Sequence, residues 1–106
     1  MRQAAACLSS LLLVSCVPMP GEVSQRTLTG IRPELRREEA CPGIPKVADA
    51  GAALALGQAE FRNIGIRLTK ASLAHGVWVV TDPAEEFGTV IARCNGEVLY
   101  DIVTSR

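Results

Sequence analysis

The chain of 106 residues has few of the groups that catalytic and metal centres use. His75 is its single histidine, so neither a metal cluster nor a catalytic triad can draw on a second imidazole. A phosphate-cradling glycine loop, a CxxC pair and a nucleophile elbow are also absent from the sequence. The sequence therefore predicts a protein that is not an enzyme, with no catalytic residues and no metal or cofactor.

The chain also lacks net charge. Its 11 basic residues balance 11 acidic ones, and the lysines and arginines form no cluster. A nucleic-acid surface would concentrate basic residues on one face or along one helix, so we expect no nucleic-acid partner. The length leaves room for one domain, because a domain typically takes roughly 100 to 200 residues.

A long hydrophobic run is missing as well. After Met1-Arg2-Gln3, about a dozen apolar or small residues lead to Cys16, and Pro18, Pro20 and Gly21 soon follow. A membrane-spanning helix needs about 20 apolar residues, so this run is too short to cross a bilayer. A positive start and an apolar stretch of this length are typical of a secretory signal.

The end of that run, Leu13-Val14-Ser15-Cys16, resembles the lipobox of bacterial lipoproteins. The resemblance implies that residues 1–15 are a cleaved signal peptide and that Cys16 carries a diacylglycerol thioether and an acylated amino group, with palmitate as a typical chain. Such a residue anchors a protein in the bilayer. The protein would then face the periplasm, and Val17, in place of Asp, favours the outer membrane over the inner one. An ordinary signal peptide with an incidental cysteine is the alternative.

Residues 16–44 contain four of the six prolines and almost no sustained apolar periodicity. This composition predicts a flexible tether between the lipidated cysteine and a domain at residues 45–106. Within the tether, Pro33 and Glu34 suit the start of a helix, so we expect one or two solvated helical turns there.

The remaining residues predict a small α+β domain. Asp49 is a candidate N-cap for an alanine-rich helix over residues 50–63. Four strands should follow, over residues 66–74, 77–81, 89–94 and 97–103. His75-Gly76 and Asn95-Gly96 are turn dipeptides, and residues 84–88 form a connecting loop. The predicted fold is one helix packed on a four-stranded antiparallel meander sheet.

Residues 74–81, 87–92 and 95–99 together resemble the small nuclear-transport-factor-like immunity family. That family has a helix, a strand, a turn, a Val-Trp-x-Val strand, a glycine loop and a final hairpin. His75 and Asn95 stand where the family favours Asp, and Asp82-Pro83 replaces a small polar turn. The resemblance implies a protein that binds and blocks a toxin or enzyme. A PepSY domain is a second resemblance, in which residues 96–99 match the closing hairpin.

Two cysteines, Cys41 and Cys94, remain once Cys7 is cleaved with the signal and Cys16 is lipidated. An oxidising periplasm favours a disulfide between them. Two free thiols, with Cys94 buried on its strand, are the alternative.

The candidate binding residues are Trp78, Glu85, Glu86 and Phe87, on the central strand and the loop that follows it. Trp78 has an alternative role in the core, and the two glutamates are equally consistent with a solvated loop. We therefore expect a membrane-anchored envelope lipoprotein that acts as a non-catalytic protein-binding module. If the resemblance extends to function, this module is an immunity-type inhibitor. A structural or assembly lipoprotein is the alternative, followed by a small pocket enzyme that would place His75 or Glu85 near Trp78.

Overall fold

A computed structural model describes residues 20–103, so the predicted signal peptide and Cys16 lie outside the described residues. The elements are α1 (Gln25–Thr29), a 3-10 turn (Pro33–Leu35), α2 (Ala50–Glu60), a second 3-10 turn (Arg62–Ile64), β1 (Lys70–Ala74), β2 (Val77–Thr81), β3 (Phe87–Ala92) and β4 (Val98–Val103). The four strands form one antiparallel meander in the order β1-β2-β3-β4. The predicted α+β fold, with one main helix and this sheet, is confirmed.

Helix α2 covers one face of the sheet. The Asp49 side chain accepts a hydrogen bond from the backbone N–H of Ala52 at 2.8 Å and caps the helix, as predicted. The helix can approach the sheet closely because Gly57 has no side chain. A Cβ at position 57 would lie 3.0 Å from Cγ1 of Val80 and 3.1 Å from Cγ2 of Thr89. The helix ends at Glu60, three residues before the predicted end.

A second layer covers the opposite face of the sheet and is made of residues that the sequence assigned to the tether. Val23 and Ile31 are 5% and 7% exposed. They pack with the sheet residues Val77, Val79 and Val90. Pro33 interrupts this segment and prevents a long helix, but isolated apolar side chains suffice to cover a hydrophobic sheet face. The packed domain therefore begins at about Gly21, whereas the predicted boundary was residue 45. We call residues 21–40 the N-terminal layer.

Burial on both faces explains strand β2, in which every residue is buried. Trp78 and Val80 belong to the cluster beneath α2, and Val77 and Val79 belong to the cluster beneath the N-terminal layer. A strand covered on both sides is a continuous apolar run instead of an alternating one.

The N-terminal layer begins at the edge of β1. Gly21 pairs with Lys70 in a parallel bridge, in which the Gly21 N–H donates to the Thr69 carbonyl at 2.9 Å and the Gly21 carbonyl accepts from Ala71 N–H at 3.0 Å. The backbone N–H of Val23 then donates to Oγ of Ser72 at 2.8 Å. The edge of β1 is therefore partly covered.

A disulfide joins Cys41 to Cys94, with a Cα to Cα distance of 5.5 Å, which confirms the predicted pairing. Cys94 lies two residues after the end of β3, so the bridge ties the end of the N-terminal layer to the sheet. Four strand boundaries differ from the prediction. β1 begins at Lys70 instead of residue 66, and β4 begins at Val98 instead of residue 97. β3 runs from Phe87 to Ala92 instead of from residue 89 to residue 94.

Candidate functional site

Trp78, the first of the predicted binding residues, lies in the core. Its side chain is in the cluster beneath α2, and the residue is 8% exposed. The indole Nε1–H donates to the Val47 carbonyl oxygen at 2.8 Å, which satisfies its one polar group. Trp78 therefore stabilises the domain and presents no surface to a partner, in agreement with the alternative role that its strand position allowed.

Glu85 lies in the β2–β3 loop with a positive φ of 60°. Its side chain is 11% exposed. One carboxylate oxygen accepts from Oγ of Ser24 at 2.7 Å and Oγ1 of Thr27 at 2.6 Å. The other accepts from Nζ of Lys70 at 2.8 Å and from the Ser24 N–H at 2.9 Å. This carboxylate is therefore fully used in holding the start of the N-terminal layer against the sheet.

The network fixes the charge state of Glu85. Burial by itself raises the pKa of this carboxyl group, but hydrogen bonds from Lys70, Thr27 and Ser24 outweigh it and lower the pKa from 4.5 to about 2. A general acid at neutral pH needs a raised pKa, so this shift suits a structural anion.

Glu86 ends the β2–β3 loop and Phe87 begins β3, and both residues are half-buried. Their backbone N–H groups donate to Oδ1 of Asp82 at 2.8 and 3.1 Å. The ring of Phe87 packs against the core beneath α2. The four predicted binding residues therefore do not form one exposed patch, because Trp78 and Phe87 face the core and Glu85 faces Ser24.

His75 occupies the β1–β2 turn with a φ of 52°, next to Gly76 with a φ of 74°. Its carbonyl accepts from the Arg37 N–H at 2.8 Å. This turn precedes β2 and the Glu85 loop follows it, so the two residues lie at opposite ends of the strand. His75 lines a cavity with Glu39, Leu73 and Arg93, and neither Glu85 nor Trp78 lines this cavity.

Strand β4 exposes apolar side chains at one edge of the sheet. It ends the sheet, and no further strand pairs with it among residues 20–103. Val98, Tyr100 and Val103 are 37%, 41% and 65% exposed. Exposed backbone groups on an edge strand form a template for another strand, and the apolar side chains here add contact area.

An arginine from the N-terminal layer lies next to this edge. The guanidinium carbon of Arg32 is 4.7 Å from the centroid of the Tyr100 ring. This distance is within the range of a cation–π contact. Below the pair, a cavity of 150 Å³ opens between Ile31 and Leu35 on one side and Val90 and Ile102 on the other. We call this region the β4 surface. It consists of the edge of β4, the side chains of Tyr100 and Arg32, and the apolar crevice formed by this cavity.

Sequence reasoning did not find the β4 surface. The one feature of the sequence that indicates this surface is the composition of β4. Five of its six residues are apolar or aromatic, although the strand is the last of the sheet. The role of Arg32 depends on the N-terminal layer, which the proline content concealed.

None of the helices in residues 20–103 is long and apolar enough to cross a membrane. The same residues contain no group of three or more histidine, cysteine or acidic side chains placed to hold a metal ion. The chain matches no protein-family model, no curated protein and no solved structure.

Proposed function

We propose that the protein is a membrane-anchored envelope lipoprotein that binds another protein through the β4 surface, without catalysis. The observation that carries this proposal is the unpaired edge of β4, where Tyr100 is 41% exposed and stacks with Arg32. Tyrosine and arginine are the residue types, with tryptophan, that dominate binding energy at protein interfaces. The lipid anchor rests on the sequence Leu13-Val14-Ser15-Cys16.

The mode of binding follows from the geometry of an edge strand. A partner segment in extended conformation can hydrogen bond to β4 and extend the sheet, while its alternate side chains contact Tyr100 and the crevice beside it. Six residues of strand span about 20 Å, which is enough for a peptide-sized contact. An immunity-type inhibitor would cover its target with this surface. The resemblance of residues 74–81, 87–92 and 95–99 to the immunity family supports that narrower role.

The test places a photoreactive benzoylphenylalanine at Tyr100 or at Leu56 in cells that carry the full chain. These positions are matched, because Leu56 on α2 is 39% exposed and lies away from β4. We expect a specific protein adduct from position 100 only. The purified partner should bind Leu56→Ala as it binds the parent chain, and should bind Tyr100→Ala more than about tenfold less tightly, as for an interface hot spot. Equal adducts from both positions, or equal binding of both variants, would contradict the proposal.

The anchor has a separate test. Cys16→Ala should release the protein from the membrane fraction and abolish its labelling with radioactive palmitate. Retention of label in this variant would show that Cys16 is not the acylated residue.

A further inference from the structure

The parallel bridge at Gly21 determines where the chain leaves the domain. Because residues 21–23 run in the same direction as β1, the chain before Gly21 leaves the sheet where β1 begins. Residues 61–67, which lead from α2 into β1, lie at this same end of the sheet. We call residues 61–67 the arginine loop.

The arginine loop is held in one conformation by Gln58 of α2. The side-chain amide of Gln58 donates to the Ile66 carbonyl at 2.7 Å and accepts from the Leu68 N–H at 2.8 Å. Gly65 supplies the positive φ of 73° that turns the chain. These contacts hold the backbone of the loop in place, and with it the positions of the loop's side chains.

The loop exposes two basic side chains and one large apolar side chain. Ile64 is 62% exposed at the tip of the loop. Arg62 and Arg67 on either side of it are exposed, and neither makes an ion pair within residues 20–103. Among the carboxylates at the same end of the sheet, Glu85 binds Lys70 and Asp82 accepts from backbone N–H groups. Glu22 and Glu60 are exposed beside Gly21 and the loop, and neither forms an ion pair with Arg62 or Arg67 within residues 20–103. The loop itself carries two positive charges, no acidic residue and one exposed isoleucine.

The distance from Cys16 limits how far this end can be from the lipid. Gly21 is the fifth residue after Cys16, and a fully extended chain over these five residue steps spans at most about 18 Å. The predicted tether of 29 residues would have allowed the domain to move far from the bilayer. With residues 21–40 packed on the sheet, the arginine loop must stay close to the anchored cysteine.

We propose that the arginine loop rests on the membrane surface in which Cys16 is anchored, with Arg62 and Arg67 on anionic phospholipid headgroups and Ile64 in the interfacial region. This inference rests on the proposed lipidation of Cys16. Each basic residue near an anionic lipid surface strengthens the attraction by roughly fivefold, which is enough to orient a domain that is already tethered. The disulfide end of the sheet then points away from the membrane.

The experiment uses the acylated full-length product, reconstituted into vesicles of phosphatidylcholine with or without phosphatidylglycerol. Benzoylphenylalanine is placed at Ile64 or at Ile44, and crosslinking to lipid is measured by mass spectrometry. Ile44 is the matched control, because it is 92% exposed and lies beside Lys46, whose N–H donates to the Cys94 carbonyl at the disulfide end. We expect lipid adducts from position 64 and not from position 44, with more adduct when phosphatidylglycerol is present.

Charge reversal gives the second measurement. Arg67→Glu should lower the lipid adduct from position 64 by roughly fivefold or more in the phosphatidylglycerol vesicles. Lys46→Glu, an equal change at the far end, should leave it unchanged. An acylated protein with equal adducts from positions 64 and 44 would overturn the orientation and leave the anchor standing. A protein without acyl chains on Cys16 would overturn the anchor, and the orientation with it.

Discussion

The ammonium group of Lys70 and the carboxylate of Glu85 form an ion pair of 2.8 Å that joins the first residue of β1 to the β2–β3 loop. The same carboxylate accepts two hydrogen bonds from Ser24, at the start of α1. One side chain thus connects the sheet with the N-terminal layer, and its protonation should weaken that connection.

The pH dependence of stability should show this role. The folded protein lowers the pKa of Glu85 from 4.5 to about 2, so folding favours the ionised form. The resulting stability is fully present above pH 4.5 and is lost as the pH falls from 4.5 towards 2. We expect a contribution of about 1 to 2 kcal/mol, because the Lys70 side chain is 27% exposed and solvent screens its charge. Urea unfolding of the parent chain and Glu85→Gln across this range measures it.

Glu60→Gln is the control for that measurement, because Glu60 is exposed at the end of α2. It should retain the pH dependence of the parent chain. If Glu85→Gln retained it too, the network would not be the source of the acid sensitivity.

Two glycines of α2 should respond in opposite directions to alanine. Gly57→Ala places a methyl group 3.0 Å from Val80 and 3.1 Å from Thr89, both fully buried. Their branched side chains have little room to move, so we expect a net loss of about 1 to 2 kcal/mol in spite of the better helix propensity. Gly51→Ala meets its nearest atom, on Asp49, at 3.6 Å and should gain up to about 1 kcal/mol. Thermal unfolding of the two variants compares them, and a stabilised Gly57→Ala would contradict the close helix–sheet contact.

Removal of the disulfide should be among the costliest changes. The bridge closes a loop with a sequence separation of 53. Chain entropy alone predicts a loss of roughly 4 kcal/mol when it is absent. Cys41→Ala with Cys94→Ala should therefore unfold at much lower urea concentration than the parent chain, and a reductant should shift the parent chain to the same midpoint. A reductant should have no effect on the variant.

Truncation tests where the domain begins. A chain that starts at Ala40 keeps both bridged cysteines but loses the N-terminal layer, so Val77, Val79 and Val90 would become exposed. We expect this chain to bind a hydrophobic dye such as ANS and to unfold without a cooperative transition. A chain that starts at Pro20 should fold like the full-length protein. Equal stability of the two truncations would show that residues 20–39 are a tether after all.

Local signals were sufficient to predict the half of the fold that is continuous in sequence. Asp49 before an alanine-rich run, the branched residues of β2 and the two turn dipeptides each determine structure within a few residues. The disulfide followed from the number of cysteines and the expected compartment. These features need no knowledge of distant contacts.

The N-terminal layer depends on contacts across the chain, which explains why it was missed. Val23 and Ile31 are ordinary residues in a proline-containing stretch until Val77 and Val79 provide an apolar surface for them. For the same reason Glu85 was interpreted as a loop residue available for binding, since its partner Ser24 lies 61 residues away. The contact between Arg32 and Tyr100 was missed for the same reason, because it joins residues that are distant in the sequence.

The position of the disulfide also determines how the protein responds to mechanical force. A pull on the N-terminus acts first on the bonds of Gly21 with Thr69 and Ala71, and then peels the N-terminal layer towards Cys41. Peeling stops there, because Cys41 is covalently joined to the end of β3. About 20 residues can be released, which lengthens the chain by about 70 Å. Helix α2 and strands β1, β2 and β3 lie within the loop that the bridge closes, so the N-terminal layer can extend under tension while these elements stay folded.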